Sequence, residues 1–234
     1  EGGVAAWREL CRPAAGFVQA PQRFYNVARG DPLGHAARFF YGPMLRGWDG
    51  LGACPCVGTG VVFDWRALAA NGGQAVGSVT EDYKTALQLL AGGHWSRYLE
   101  EDLVYGQAPE DVQATFKQRY RWAVGSVQIL FSSSSPLVLP GLSAAQRAVF
   151  LSSLWQYLEW GPALVLVCTP LVYLVAFVAP MDAPLLEFMV FFSVHFVLSR
   201  LWLFCACKVD GLSSLHLLRG SQAYVYMIPT HIAA

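Results

Sequence analysis

Thr80-Glu81-Asp82 opens one predicted helix, and some forty residues later Gln118-Arg119-Tyr120-Arg121-Trp122 closes another. At about 3.6 residues per turn, Gln118, Arg121 and Trp122 fall at i, i+3 and i+4, so an amide, a guanidinium and an indole share one face, while Tyr120 points away. A fixed cation beside a flat ring suits a diphosphate and the face of a sugar. With Thr80 as N-cap, Asp82 lies in the first helical turn, exposed at the mouth of a domain. Each motif alone has an ordinary reading: Arg-Trp pairs pack at core edges, and acids at a helix start compensate the macrodipole. Their conjunction, with membrane-length apolar segments directly after, is far rarer.

The elements that must position these residues follow from punctuation and periodicity. Gly16 to Gln19 predicts a short buried strand that ends at Ala20-Pro21, because proline cannot donate to a central ladder. Residues 36–40 have a helical flavour, with His35 as a surface residue beside them. Gly58-Thr59-Gly60 is a tight turn feeding the β-branched run at 61–63, although no Gly-x-Gly-x-x-Gly phosphate loop is completed. The Asp82 helix carries an apolar stripe of Ala86, Leu89 and Leu90 and stops at Gly92-Gly93. A strand over 95–99 and the acidic run Glu100-Glu101-Asp102 come next. The second helix is predicted to start with Pro109 at its first position and Glu110-Asp111 in its first turn. Ser132 to Pro136 breaks it.

With 55% hydrophobic residues, 14% charged residues and a mean hydropathy of +0.38, the 234-residue chain has too little polar material to coat a wholly soluble protein. The net charge of zero gives no footprint for nucleic acid. Thirteen of the sixteen Lys and Arg precede residue 161, which marks the first part as the water-exposed one. The cysteines at 54 and 56, and at 205 and 207, are spaced too tightly for zinc, and all six read as reduced thiols. Residues 1–15 read as the end of a helix stopped near Pro13. The first residue is Glu, and the chain is expected to be cut from something longer.

From Leu142 to Trp160, Val149, Phe150, Leu154 and Trp155 form an apolar stripe that predicts an amphipathic helix in the membrane interface, or an ordinary packed helix. Gly161 to Ala179 is nineteen residues without a charge, long enough to span a bilayer at about 1.5 Å per residue. A second apolar stretch runs from Leu185 to about Ala206. The loop between them has no Lys or Arg, so it is expected outside and the catalytic part in the cytoplasm.

The motifs resemble those of the processive family 2 glycosyltransferases, and within them the catalytic subunits of cellulose synthase, whose signatures are Thr-Glu-Asp and Gln-x-x-Arg-Trp. Val18-Gln19-Ala20-Pro21, Phe40-Tyr41-Gly42, Arg46-Gly47, Gly58-Thr59 and Gln118-Arg119-x-Arg121-Trp122-Ala123-x-Gly125 extend the likeness over roughly residues 16–205. One departure is visible: where the family reads Phe-x-Cys-Gly-Ser/Thr in a loop near the acceptor, this chain has Pro55 and Val57 in the first and third places and keeps Gly58-Thr59.

The resemblance implies an α/β fold: the C-terminal part of a GT-A type domain at 1–135, an amphipathic interface helix at 136–160, two transmembrane helices at 161–207, and an interface or further membrane region at 208–234. It implies a membrane-bound inverting transfer of glucose from UDP-glucose to a growing β-1,4-glucan, at the plasma membrane. Chitin, hyaluronan or mannan synthesis, and a catalytically silent scaffold, are the alternatives. Asp82 would be the base, Arg121 the diphosphate contact and Trp122 the acceptor platform. Gln118, Gly58 and Thr59 would touch substrate, with Thr80, Glu81 and Gln19 in support. The implied partners are a UDP-sugar donor, the polysaccharide acceptor, the lipid membrane and other synthase subunits. Mg2+ or Mn2+ is expected from the family, but its Asp-x-Asp ligands do not occur in this chain, and Asp31, Asp49 and Asp64 read as isolated loop residues. The chain alone is therefore expected to be inactive.

Overall fold

A computed structural model describes residues 14–31, 33–177, 184–209 and 227–234. In chain order these form β1 (Ala15–Gln19), β2 (Gln22–Phe24), a π turn at Phe40–Met44, α1 (Leu45–Gly50), β3 (Val61–Phe63), α2 (Trp65–Ala70), α3 (Glu81–Ala91), β4 (Trp95–Tyr98), β5 (Val104–Gly106), α4 (Val112–Leu130), α5 (Ala144–Trp155), α6 (Trp160–Ala176) and α7 (Leu185–Val209). Residues 227–233 are helical. The expectation for residues 1–15 falls almost wholly outside the described residues, as do most of the loop after 179 and most of the segment after 207.

β1 is buried along its whole length because it has a neighbour on each side. β3 runs antiparallel to it, with Phe17 opposite Phe63 and Gln19 opposite Val61, and β4 runs parallel, with Gln19 opposite Tyr98. A second parallel pair, β2 with β5, sets Arg23 opposite Tyr105. Parallel pairing needs a crossover connection, and here α1, α2 and α3 supply it. The Asn26 side chain extends the second pair like another rung, donating to the Ala108 carbonyl at 2.9 Å and accepting from the Ala108 N–H at 2.7 Å.

Helix α3 is the wedge of the fold. Ala86 and Leu89 join Phe17, Cys56 and Ala67 in a core against the sheet, whereas Leu87 and Leu90 join Ile129, Leu130, Val149, Phe150 and Leu154 in a second core against α4 and α5. The helix is thus apolar on two sides, wider than the expected stripe. α4 does not begin at Pro109. Asp111 caps it by accepting from the Ala114 N–H at 2.6 Å, and an aspartate that satisfies an orphan amide fixes the start more firmly than a proline two residues earlier.

α5 starts with a capping box, Ser143 and Gln146 each bonding the other's backbone N–H. Its apolar residues Val149, Phe150 and Leu154 face the second core, whereas Trp155 of the same stripe is exposed. Of the two expected membrane spans, the described residues contain one helix long and apolar enough to cross a bilayer, with a 21-residue stretch at Leu185–Cys205 of mean hydropathy 1.8. The first span is shorter than the uncharged run: α6 has 17 residues and stops where Phe177 adopts a left-handed φ of 56°.

Phe150 is fully enclosed and meets Tyr83 edge-on at 5.1 Å. Phe150→Ala should lower unfolding free energy by about 3–5 kcal/mol. Val62→Ala, at a half-exposed position on β3, should change it by less than about 0.5 kcal/mol. Denaturant titration of both variants in detergent checks this.

Candidate active site

The N-terminus of α3 is held by three neighbours. Thr80 stands at the N-cap position, yet its side chain makes no cap hydrogen bond. Its hydroxyl turns instead to Ser78, 3.3 Å away, and its side chain lies against Gly125 of α4, where an added Cβ would come within 2.5 Å of Thr80 Oγ1. The Val79 N–H donates to Gln128 Oε1 of α4 at 3.2 Å. The segment before Asp82 is therefore docked on the helix that carries Gln118, Arg121 and Trp122. Gly125, quoted above only as part of a motif, is what lets the two approach.

Asp82 is half-buried, not exposed as its place in a first helical turn suggested, because a loop covers it. Its Oδ1 accepts from the Tyr83 N–H at 2.7 Å, and its Oδ2 lies 2.6 Å from where a Cβ on Gly58 would stand. Gly58 has φ of +84°, so both its conformation and its contact require glycine. Burial raises the Asp82 pKa, the Tyr83 N–H opposes this, Glu81 adds to it, and the Arg121 guanidinium pulls it down.

Gln19 holds that loop. Fully buried at the end of β1, it donates from Nε2 to the carbonyls of Ala20 and Thr59 at 2.7 Å, and accepts from the Val57 N–H at 2.9 Å. Thus Gln19, Thr59, Gly58 and Asp82 form a continuous chain of contacts, and Arg121 reaches Asp82 through its charge. Arg121 is exposed, Gln118 and Trp122 are half-buried, and Glu81 is exposed beside Asp82. The Arg119 guanidinium, to which no role was assigned above, sits 4.8 Å from the centroid of the Trp122 ring. Its signal was the i, i+3 spacing to Trp122, overshadowed by the adjacent Arg121.

Asp31, Asp49 and Asp64, read from the sequence as isolated loop residues, are committed to backbone. Asp31 accepts from the N–H groups of His35 and Ala36, Asp49 from that of Tyr98, and Asp64 from those of Arg66 and Ala67 as the cap of α2. Asp102 and Glu100 pair with Arg23 at 2.7 Å and Arg46 at 3.3 Å. His35 is half-buried and bonds Thr115 Oγ1 at 3.1 Å, so it is not a surface residue. Among the described residues no group of three His, Cys, Asp or Glu side chains converges on a point, and this donor set does not fit a divalent cation.

Comparison with known proteins gives a consistent pattern. The profile of glycosyl transferase family group 2 matches residues 4–207. A UDP-forming cellulose synthase catalytic protein of Dictyostelium discoideum is 46% identical over 114 residues, covering 48% of this chain and 11% of that protein. Cellulose synthase 2 of Novacetimonas hansenii is 33% identical over 175 residues, covering 70% of this chain and 11% of that protein. The catalytic subunit from Komagataeibacter sucrofermentans is 32% identical over 170 residues, 68% of this chain and 22% of that one. The chain thus spans between 11% and 22% of the length of these curated relatives. A mannosyltransferase from Pyrobaculum calidifontis, solved with GDP-Man and Mn2+, matches with a TM-score of 0.61 at 15% identity, over 99% of this chain and 56% of that one. That likeness gives the fold: a GT-A-like α/β architecture.

The contact between the loop and the carboxylate can be isolated. Gly72 has a φ of +83° with nothing within 4 Å of an added Cβ, so Gly72→Ala bears only the backbone cost of about 1–3 kcal/mol. Gly58→Ala bears that cost and must also displace Asp82. Its unfolding midpoint should fall clearly below that of Gly72→Ala, and equal midpoints would show that the contact is not there.

Proposed function

Because this chain belongs to glycosyl transferase family group 2, and its relatives make it a glycosyltransferase related to cellulose synthase, we propose that it is the acceptor-side part of a membrane-bound synthase that moves glucose from UDP-glucose onto a β-1,4-glucan. The observation that carries this reading is the Asp82 carboxylate: half-buried against Gly58, raised in pKa, with the Arg121 cation in reach. A single displacement with inversion needs a base on the attacking hydroxyl and a counter-charge for the departing diphosphate. These two residues offer one of each, carried on two helices that Thr80 and Gly125 lock together.

In this reading Asp82 takes the proton of the acceptor hydroxyl as its oxygen bonds to the anomeric carbon of the donor, whose bond to UDP breaks on the opposite side. UDP leaves with the bonding electrons, stabilised by Arg121, and the proton passes from Asp82 to solvent. Burial makes the carboxylate a stronger base than an exposed one. Trp122 supports the acceptor ring by apolar contact, and Gln118 orients one or both ligands. Gly58 and Thr59 border the acceptor on a loop that Gln19 holds through the Thr59 carbonyl. Thr80 holds the N-terminus of α3 against α4, and Glu81 lies in a supporting position beside Asp82. Among the described residues no donor set fits a divalent cation, and the charge that this chain itself offers the departing diphosphate is that of Arg121. α7 anchors the protein in the plasma membrane with the site on the cytoplasmic side, and other synthase subunits are its expected partners there.

Three substitutions in the full-length synthase separate the roles. Asp82→Asn should lower turnover by roughly two to four orders of magnitude while UDP affinity holds. Arg121→Ala should weaken UDP by about 1.5–3 kcal/mol, and Trp122→Ala should weaken acceptor engagement more than donor binding. The acid limb of the wild-type pH profile should lie above the ordinary aspartate range, because turnover is lost as pH falls through the raised pKa of Asp82. Near-wild-type transfer by both Asp82→Asn and Arg121→Ala in folded protein would point to a silent scaffold instead.

A further inference from the structure

The guanidinium that covers Trp122 is set in an unusual environment. Arg119 retains part of its surface, but its Nε is enclosed and has no hydrogen-bond partner among the described residues. Burial lowers its pKa, and the surrounding Tyr157, Tyr41 and Asp31 act in the opposite direction. His35 and His231 face the same cation, and both have pKa values lowered by burial, with Arg119 pushing the same way. The cluster thus contains one guanidinium, two histidines whose pKa values it helps to lower, two tyrosines and an indole. A lysine would be hydrated too strongly for such a place, whereas a guanidinium disperses its charge and stacks on a ring.

Such a contact has a geometric consequence. Trp122 is half-exposed, and one of its faces is occupied by Arg119 at 4.8 Å from the ring centroid. Both side chains rise from α4 one turn apart, so the stack is fixed by the helix itself and not by a mobile neighbour. Arg119 is in turn hemmed in by Tyr41 of the π turn and Tyr157 of the 3-10 turn at Gln156–Leu158, which also bonds Ser126 of α4. An aromatic platform binds best when its rotamer is set before the ligand arrives, because less ordering is left to occur on binding.

We infer that Arg119 is a positioning residue for acceptor binding: its guanidinium, stacked on one face of Trp122, fixes the indole plane on which the acceptor sugar rests. Its task differs from that of Arg121, which lies on the exposed side of the same helix and acts on Asp82 through its charge. The inference rests on the reading of Trp122 as the acceptor platform and adds the element that holds it. The two neighbouring arginines of the motif then divide the work, one serving acceptor geometry and the other diphosphate charge.

A double-mutant cycle in the full-length synthase tests this, with a soluble β-1,4-gluco-oligosaccharide as acceptor and UDP as competitive inhibitor. Arg119→Met keeps most of the volume and removes the cation. It should raise the acceptor KM roughly 2- to 30-fold, the range of a cation–π contact, while the UDP inhibition constant stays put. Arg119→Lys should recover part of that loss. In a Trp122→Ala background Arg119→Met should add nothing. An equal additional loss in that background, an unchanged acceptor KM, or a UDP constant that shifts as much as the acceptor KM would overturn the inference. If Trp122→Ala itself leaves the acceptor KM unaltered, the platform reading fails first and the inference with it. Should Arg119→Met not fold, the same cycle is read with Arg119→Lys, whose compact ammonium covers the ring less well and should give a smaller loss that likewise vanishes without Trp122.

Discussion

The constraint on which the site depends is that α3 is apolar on two sides. A helix with one stripe can lie on the surface, but one that presents Ala86 and Leu89 to the sheet and Leu87 and Leu90 to α4 and α5 has to sit between them. Its N-terminus is then fixed in all directions at once. Asp82 inherits that placement, as it is the second residue of the helix, and the loop from Val57 to Thr59 closes over it from the sheet side. Neither its partial burial nor its raised pKa follows from the residue or its immediate neighbours alone. Both are products of layer packing.

Two glycines convert the packing into contact. Gly125 lets Thr80 lie on α4, and Gly58 lets the loop lie on Asp82. In each case the missing side chain is replaced by a functional group of another element, so that a motif on one helix, a motif on another and a turn from the sheet occupy a single small volume. This explains why Thr80 serves as a spacer and not as a cap: its hydroxyl lies near Ser78, its hydroxyl and methyl both lie against Gly125, and no N–H of α3 donates to it.

Much of this was legible in the sequence, for local reasons. The strand ending at Gln19 was betrayed by Pro21, the end of α3 by Gly92-Gly93, and the end of α4 by its serine run, because proline and glycine act through their own backbones. The spacing of Gln118, Arg121 and Trp122 is a property of any helix. What escaped were choices decided by competition or by tertiary contact. Asp111 outcompeted Pro109 as the start of α4, and Asp82 proved half-buried because a segment over twenty residues earlier covers it. The stripe of α5 did not reveal whether lipid or protein would receive it, since both are apolar, and the helix from Trp160 stopped short of its uncharged run. Arg119 was hidden because an arginine in a row of polar residues looks solvated until its neighbours are known.

The side-chain amide of Gln19 gives the site a mechanical asymmetry. With its nitrogen engaged by Ala20 and Thr59 and its oxygen by Val57, it welds the loop to the most deeply buried strand of the sheet. The wall of the site formed by Gly58 is therefore stiff and moves only if the sheet moves. The Arg121 side chain, exposed on α4, has no such weld among the described residues. Any closing of the site around a ligand is accordingly one-sided: the cation travels, and the carboxylate with its glycine backing serves as the anvil.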